Sequence, residues 1–149
     1  MDGRVRVAVE RDTLVAAPPE KVWEVIADVA RWPEFKSFIR SVRAPAPLGP
    51  GLKFTMKIAV KGPAVPVPVT VLEWDRPWRM AWTGGLPGLV MSTHGFDLKP
   101  EAGGTWLVSW EKFCGPLCGL MLVFVSESDL ISLHDRWLAA IKARAEIRS

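Results

Sequence analysis

His94 and Glu111 are the residues of this chain whose types and spacing first suggest chemistry. They lie in two runs, Val90 to Leu98 and Thr105 to Phe113, whose apolar residues alternate as in a strand with one buried face. If the hairpin closes around residues 101 to 103 with odd pairing, one face carries His94, Phe96, Leu98, Leu107, Ser109 and Glu111. The other face then carries Thr93, Gly95, Asp97, Trp106, Val108 and Trp110. A slip of one residue would separate the pair, because the side-chain period is two. Two readings of His94 and Glu111 stand: a general acid/base pair in which the carboxylate orients the imidazole, or a structural cross-strand contact.

His134 and Glu127 are the other candidates for proton transfer. Both fall on the apolar stripe of a C-terminal helix, on either side of Ile131. Seven residues separate them, roughly 10 Å along a helix axis, so they do not touch. A polar group on such a stripe is either satisfied by the facing element or offered to a ligand, since an unpaired buried imidazole or carboxylate is costly.

The elements that must position these groups follow from periodicity. Val5, Val7 and Val9 alternate with charged residues, a strand running to about Val15. Pro18-Pro19-Glu20 opens a helix, with Val22, Val25, Ile26 and Val29 on one face. Trp32-Pro33-Glu34-Phe35 breaks it and forms a short helical turn. A meander follows: Ser37 to Ala44, Leu52 to Val60, Val65 to Trp74, Trp78 to Thr83, and the two strands of the hairpin. Pro66 and Pro68 cannot donate to a ladder and predict an edge or a bulge, and Gly84 to Gly88 reads as a loop that could cover a pocket.

Beyond Gly115-Pro116 the period becomes 3.6, with Leu120, Phe124, Ile131, Leu138, Ile141 and Ala145 on one stripe. This predicts one helix of about 25 to 30 residues. The fold class expected is α+β: a curved antiparallel sheet of about seven strands wrapped around a long C-terminal helix, with two short helices after the first strand. Packing the helix across the apolar face of the meander buries both, and curvature leaves a pocket between them. Its expected lining is Phe54, Met56, Met80, Trp82, Met91 and Phe96 from the strands, with Phe124, Glu127, Ile131 and Leu138 from the helix.

Composition removes several function classes. The 149 residues fit one domain and are 49% hydrophobic. The net charge of +3 is scattered rather than gathered on a face, which argues against nucleic acid. Cys114 and Cys118 have no further ligand beside them and read as structural, since zinc takes four ligands. No metal site is expected. The N-terminus has no apolar core of a signal peptide, and the run Phe113 to Val125 is shorter than the ~20 residues of a membrane helix. A cytoplasmic location is the expectation. Eight Trp and no Tyr are unusual; indoles suit a core or a pocket wall, and they are bulky enough to close a cavity. Trp106 and Trp110 share a face, either an exposed outer one or a wall of the cavity.

Two stretches resemble a known family. They are Ala17-Pro18-Pro19-Glu20-Lys21-Val22-Trp23-Glu24-Val25-Ile26-Ala27-Asp28 with Arg31-Trp32-Pro33-Glu34-Phe35, and His94-Gly95-Phe96-Asp97-Leu98-Lys99-Pro100 with Gly104-Thr105 and Glu111-Lys112-Phe113-Cys114-Gly115. Together they resemble the START-like (SRPBCC, Bet v 1-like) superfamily, in its polyketide cyclase/dehydrase and lipid-transport group. The resemblance implies a helix-grip fold with a hydrophobic cavity, no cofactor, and no universal catalytic residue. It leaves three readings of function. One is a binder or carrier of a hydrophobic small molecule. Another is a cyclase or dehydratase using His94, Glu111, His134 or Glu127 as acid and base. The last is an interaction module, monomeric or homodimeric, that presents Trp106 and Trp110 to a protein or a membrane surface.

Overall fold

The computed structural model of the chain describes residues 4–34, 38–45, 48–59 and 62–147. Positions 1–3, 35–37, 46–47, 60–61 and 148–149, which include the expected strand end at Val60 and strand start at Ser37, lie outside the described residues. Seven strands form one antiparallel sheet: β1 (Val5–Val15), β2 (Ile39–Arg43), β3 (Lys53–Ile58), β4 (Val65–Asp75), β5 (Arg79–Leu86), β6 (Val90–Glu101) and β7 (Gly104–Cys114). Their order is β1-β7-β6-β5-β4-β3-β2, so the meander runs continuously and β1 returns to cover its last strand. The helices are α1 (Pro19–Ala27), followed by a 3-10 turn over Val29–Glu34, then α2 (Cys118–Phe124) and α3 (Glu127–Ala145). This is the helix-grip fold: a curved sheet whose inner face is crossed by the C-terminal helix.

The two prolines of β4 sit where their missing N–H groups cost nothing. Pro66 and Pro68 pair with Lys57 and Thr55 of β3, while β5 begins its pairing with β4 only at Val69. That part of β4 is a local edge. The expected loop at Gly84 is instead the end of β5, which continues pairing through Leu86.

The C-terminal segment is two helices and not one. Val125 adopts an extended conformation, and Ser126 caps α3 with a reciprocal box: its hydroxyl accepts from the Asp129 N–H and its own N–H donates to the Asp129 carboxylate. The box satisfies orphan donors of the new helix and stops the old one. It also resets the helical phase. The inward residues of α3 are Leu130, His134, Trp137, Leu138, Ile141 and Ala145, a stripe spaced 4, 7, 8, 11 and 15 from its first member.

Aromatic rings fill much of the space between sheet and helix. Trp32 meets Trp82 and Trp137 with centroids 5.4 and 5.2 Å apart, and Trp137 meets Phe38 and Phe96 at 5.6 and 5.3 Å. The Trp32 indole N–H donates to the carbonyl of Ile26 at 3.2 Å, which holds the 3-10 turn against α1. A second, smaller apolar cluster of Val7, Val9, Phe113, Cys118 and Leu130 lies under α2.

Candidate active site

His94 and Glu111 face each other across the β6–β7 hairpin, in the odd register. That register puts Ser92, His94, Ser109 and Glu111 on the inner face, beneath α3. His134 comes down from α3 onto the same spot, and the five side chains form one hydrogen-bonded chain. The Ser92 hydroxyl donates to Glu111 Oε2 at 2.5 Å, and His134 Nε2 lies 2.9 Å from Glu111 Oε1. Ser109 Oγ lies 2.8 Å from His134 Nδ1 and 3.1 Å from His94 Nε2.

The directions follow from donor chemistry. With Glu111 as a carboxylate, which only accepts, His134 donates from Nε2, and in the neutral tautomer its Nδ1 accepts from the Ser109 hydroxyl. Ser109 Oγ then accepts from His94 Nε2–H. The chain is almost dry, since the His134 side chain is 2% exposed and that of Glu111 17%. Aromatic rings fix His94 in place. Trp82 stacks on it at 4.7 Å, and Trp137 meets it edge-on at the same distance.

The chain borders a cavity of about 220 Å³ whose walls are otherwise apolar, including Phe38, Ile58, Phe113, Met121, Leu133 and Trp137. A second space of about 160 Å³ shares Ile58, His94 and Glu111 with the first and extends past Met56 and Trp82. The polar chain therefore stands where two apolar spaces meet.

One donor atom from each of His94, Glu111 and His134 lies within 4.8 Å of the others, a donor set that zinc or ferrous iron uses. The geometry does not favour an ion. The ring nitrogens are already engaged: His94 Nε2 and His134 Nδ1 both meet Ser109 Oγ, and His134 Nε2 bonds Glu111 Oε1. A metal held by these three residues would have to break bonds of this chain.

The expected site residues divide into three groups. His94, Glu111 and His134 come together, and Met56 and Trp82 line the smaller space. Phe54, Met80, Phe96 and Leu138 are 0–3% exposed and belong to the main core, because the tryptophans occupy the space in front of them; Met91 is half-buried and lines neither space. Phe124, Glu127 and Ile131 are corrected. All three are exposed: the break at Val125–Ser126 interrupts the expected stripe, of which Leu138, Ile141 and Ala145 stay inward. Glu127 is therefore no partner for His134.

Sequence reasoning passed over Ser92 and Ser109 as chain members and did not consider Trp137. Both serines were legible by parity, as residues on the face of His94 and Glu111, but a hydroxyl gives no sign of burial. The indole pair, left open between an outer face and a cavity wall, lines neither cavity space, and Trp106 is half-buried. Trp110 lies on the outer face yet is only 9% exposed. It covers Gly95, where an added Cβ would meet its ring at 2.2 Å, and Arg79 and Lys112 lie over it at 4.9 and 5.4 Å. Arg79 is itself held by Glu73 and, at 2.6 Å, by Asp97.

Cys118 is buried and Cys114 partly so. Burial, and secondarily the neighbouring Cys114, pushes the Cys118 thiol above its ordinary range, which removes it as a thiolate nucleophile. Among the described residues, no helix is long and apolar enough to cross a membrane.

Residues 6–146 match the family model described as polyketide cyclase / dehydrase and lipid transport. Among curated proteins none gives a significant match. Solved structures similar to the chain include the di-domain aromatase/cyclase BexL from the BE-7585A biosynthetic pathway, with 19% identity and a TM-score of 0.78 over 96% of this chain. The chain spans about half of BexL, 51% of its length. The ZhuI aromatase/cyclase from Streptomyces sp. R1128 shares 22% identity and a TM-score of 0.73, covering 94% of this chain and 93% of that one. A START superfamily protein from Mycobacterium smegmatis shares 15% identity and a TM-score of 0.74, covering 93% and 97%. At these identities the likeness establishes the fold, and the match over residues 6–146 establishes the family: this chain belongs to the polyketide cyclase/dehydrase and lipid-transport family.

Proposed function

We propose that this protein binds a compact, mostly apolar molecule carrying a carbonyl or hydroxyl group, and moves a proton on it. The observation that carries this reading is the Glu111–His134–Ser109–His94 chain at the junction of two apolar spaces. A purely structural cross-strand pair needs neither the histidine from α3 nor the serine that joins the two rings. Pockets for small molecules are apolar with a few convergent polar groups, and this one has its polar groups in series.

A proton taken up by the His94 ring moves Nε2–H to Ser109, whose hydroxyl proton passes to His134 Nδ1. The resulting imidazolium is paired with Glu111, which compensates its charge in a site that excludes water. The reaction class that uses such a device is proton removal from a carbon beside a carbonyl. The C–H bond breaks, the electron pair becomes an enolate, and the enolate closes on a second carbonyl of the same molecule. The new alkoxide takes the proton back, and loss of water completes a dehydration. An enclosing cavity assists by holding the two carbons close. The family's description and the likeness in fold to two aromatase/cyclases support this reading.

A second reading, a carrier that releases its ligand unchanged, is favoured by the otherwise apolar lining. Native mass spectrometry of freshly purified protein, with solvent extraction of whatever is bound, tests binding for both. The expected result is one discrete added mass, lost on denaturation, that falls sharply when Leu133→Trp fills the cavity. A clean mass with no shift on soaking in aromatic ketones or fatty acids would rule out both readings.

A further inference from the structure

Helix α2 is apolar on every side, and only one side is covered. Its sequence, Cys-Gly-Leu-Met-Leu-Val-Phe, holds no charged or hydrogen-bonding side chain except the buried thiol. Cys118, Met121, Leu122 and Val125 face inward onto the smaller apolar cluster, and Met121 and Val125 also line the cavity. Leu120, Val123 and Phe124 face outward and are 54%, 75% and 66% exposed.

The turn that joins β5 to β6 extends this bare surface. Leu86 and Leu89 are 57% and 44% exposed, and the turn is fastened to the start of α2 by a 3.0 Å bond from the Leu117 N–H to the Leu89 carbonyl. The backbones are so close that a Cβ on Gly115 would stand 2.2 Å from the same carbonyl oxygen. Five large, exposed apolar side chains thus lie on two backbone-linked segments, here the tip, beside residues that wall the cavity. A helix that is hydrophobic all round is normally buried, and a contiguous exposed apolar patch marks an interaction surface.

We propose that this tip seats the protein on an anionic phospholipid bilayer. The polar content of the tip decides for a bilayer. Protein interfaces carry about one hydrogen bond per 100–200 Å², but α2 offers no polar side chain to make one, and hydrocarbon asks for none. A stable dimer buries roughly 800 Å² on each partner, more than five partly exposed side chains supply. Charge agrees. Residues 112–126 and 84–93 together contain one charged side chain, Lys112, and the adjoining start of β1, where Val5 pairs with Cys114, adds Arg4 and Arg6. The acids that border these stretches are Glu111, bound in the proton chain, and Glu127 and Asp129, which follow the helix break, Asp129 being bound in the α3 cap. An apolar face flanked by cations is the pattern of interfacial attachment. The proposal does not depend on the proton chain and holds whether the cavity is catalytic or a carrier's.

Vesicle flotation tests it, using the whole protein with phosphatidylcholine vesicles and with vesicles containing one-third phosphatidylglycerol. The wild type is expected to float with the anionic vesicles. The double variant Val123→Glu, Phe124→Glu is expected to lose at least about tenfold in partitioning, with an unchanged thermal midpoint because both positions are exposed. Leu72→Glu, at an exposed leucine on β4, is expected to float as the wild type does. A wild type that stays soluble with both vesicles, or a double variant that floats equally well, would overturn the proposal. Equal flotation with both vesicle types would overturn the anionic requirement. A concentration-dependent dimer that the double variant abolishes, with no flotation, would assign the tip to a second copy of the chain.

Discussion

Ser109 is the smallest member of the proton chain and the one both imidazoles depend on. Its oxygen lies 3.1 Å from His94 and 2.8 Å from His134, and replacing it with alanine leaves ring nitrogens unsatisfied in a nearly dry site. Ser109→Ala is expected to lower stability by about 1–3 kcal/mol in denaturant titration and to disconnect His94 from Glu111. Gly95→Ala tests the outer face in the same way. An added methyl must displace the Trp110 ring and its contacts with Arg79 and Lys112, at a cost of about 1–3 kcal/mol, with a shift in tryptophan emission. The His94–Glu111 pairing was legible because strand parity fixes it once the turn is placed. His134 was legible from its position on an apolar stripe, but its partner was not: Glu127 shared the stripe on paper, whereas Glu111 reaches His134 only through tertiary packing.

The helical elements carry the main departure from expectation. A 3.6 period drawn from Leu120 to Ala145 passes through Ser126, and only the cap there shows that the phase restarts. The signal was present in Ser126-Glu127-Ser128-Asp129, a serine followed three residues later by an acid, which is a capping-box pattern. Periodicity hides it, because the six apolar residues Leu120, Phe124, Ile131, Leu138, Ile141 and Ala145 fit one continuous stripe. Ser126→Ala is expected to lower stability by about 1 kcal/mol, with hydrogen exchange rising first in the opening turn of α3.

The other end of α3 is latched to β1. Glu146 accepts from the Ala16 N–H at 2.7 Å and from Lys142 at 2.6 Å, and Lys142 also donates to the Leu14 carbonyl. The backbone bond chiefly, and Lys142 next, hold the Glu146 carboxyl below the usual carboxylate range. A carboxyl depressed in the folded state contributes stability that is present above its unfolded value and lost as pH falls through its folded one. Glu146→Gln is therefore expected to flatten the acid side of a plot of thermal midpoint against pH and to leave the shape above neutrality unchanged.

At the scale of the whole molecule, the order of elements and the helix-grip architecture could be read from patterning because each level agreed: alternation in the meander, a proline-opened first helix and an apolar C-terminal stripe. The state of the cavity could not. Side-chain volume between a sheet and a helix depends on which indoles turn inward, and strand parity says nothing of Trp32 or Trp137, which sit on helical segments. These two, with Trp82, fill one part of the interior and leave the space beside His134 and α2. That division explains why Phe54, Met80 and Phe96 became core while Met121 and Leu133 became lining.

The role proposed for this remaining space is chemistry on a bound molecule. The most direct measurement is mass-spectrometric: hydrogen exchange at the carbon beside the carbonyl of the protein's extracted ligand, or of an aromatic 1,3-diketone that binds, in deuterated buffer. The wild type is predicted to accelerate deuterium uptake over buffer by about a hundredfold or more, with Glu111→Gln and His134→Asn each losing most of that gain while still binding the molecule. A bound ligand that takes up deuterium no faster than in buffer alone, with wild type and variants alike, would contradict the claim and leave a carrier.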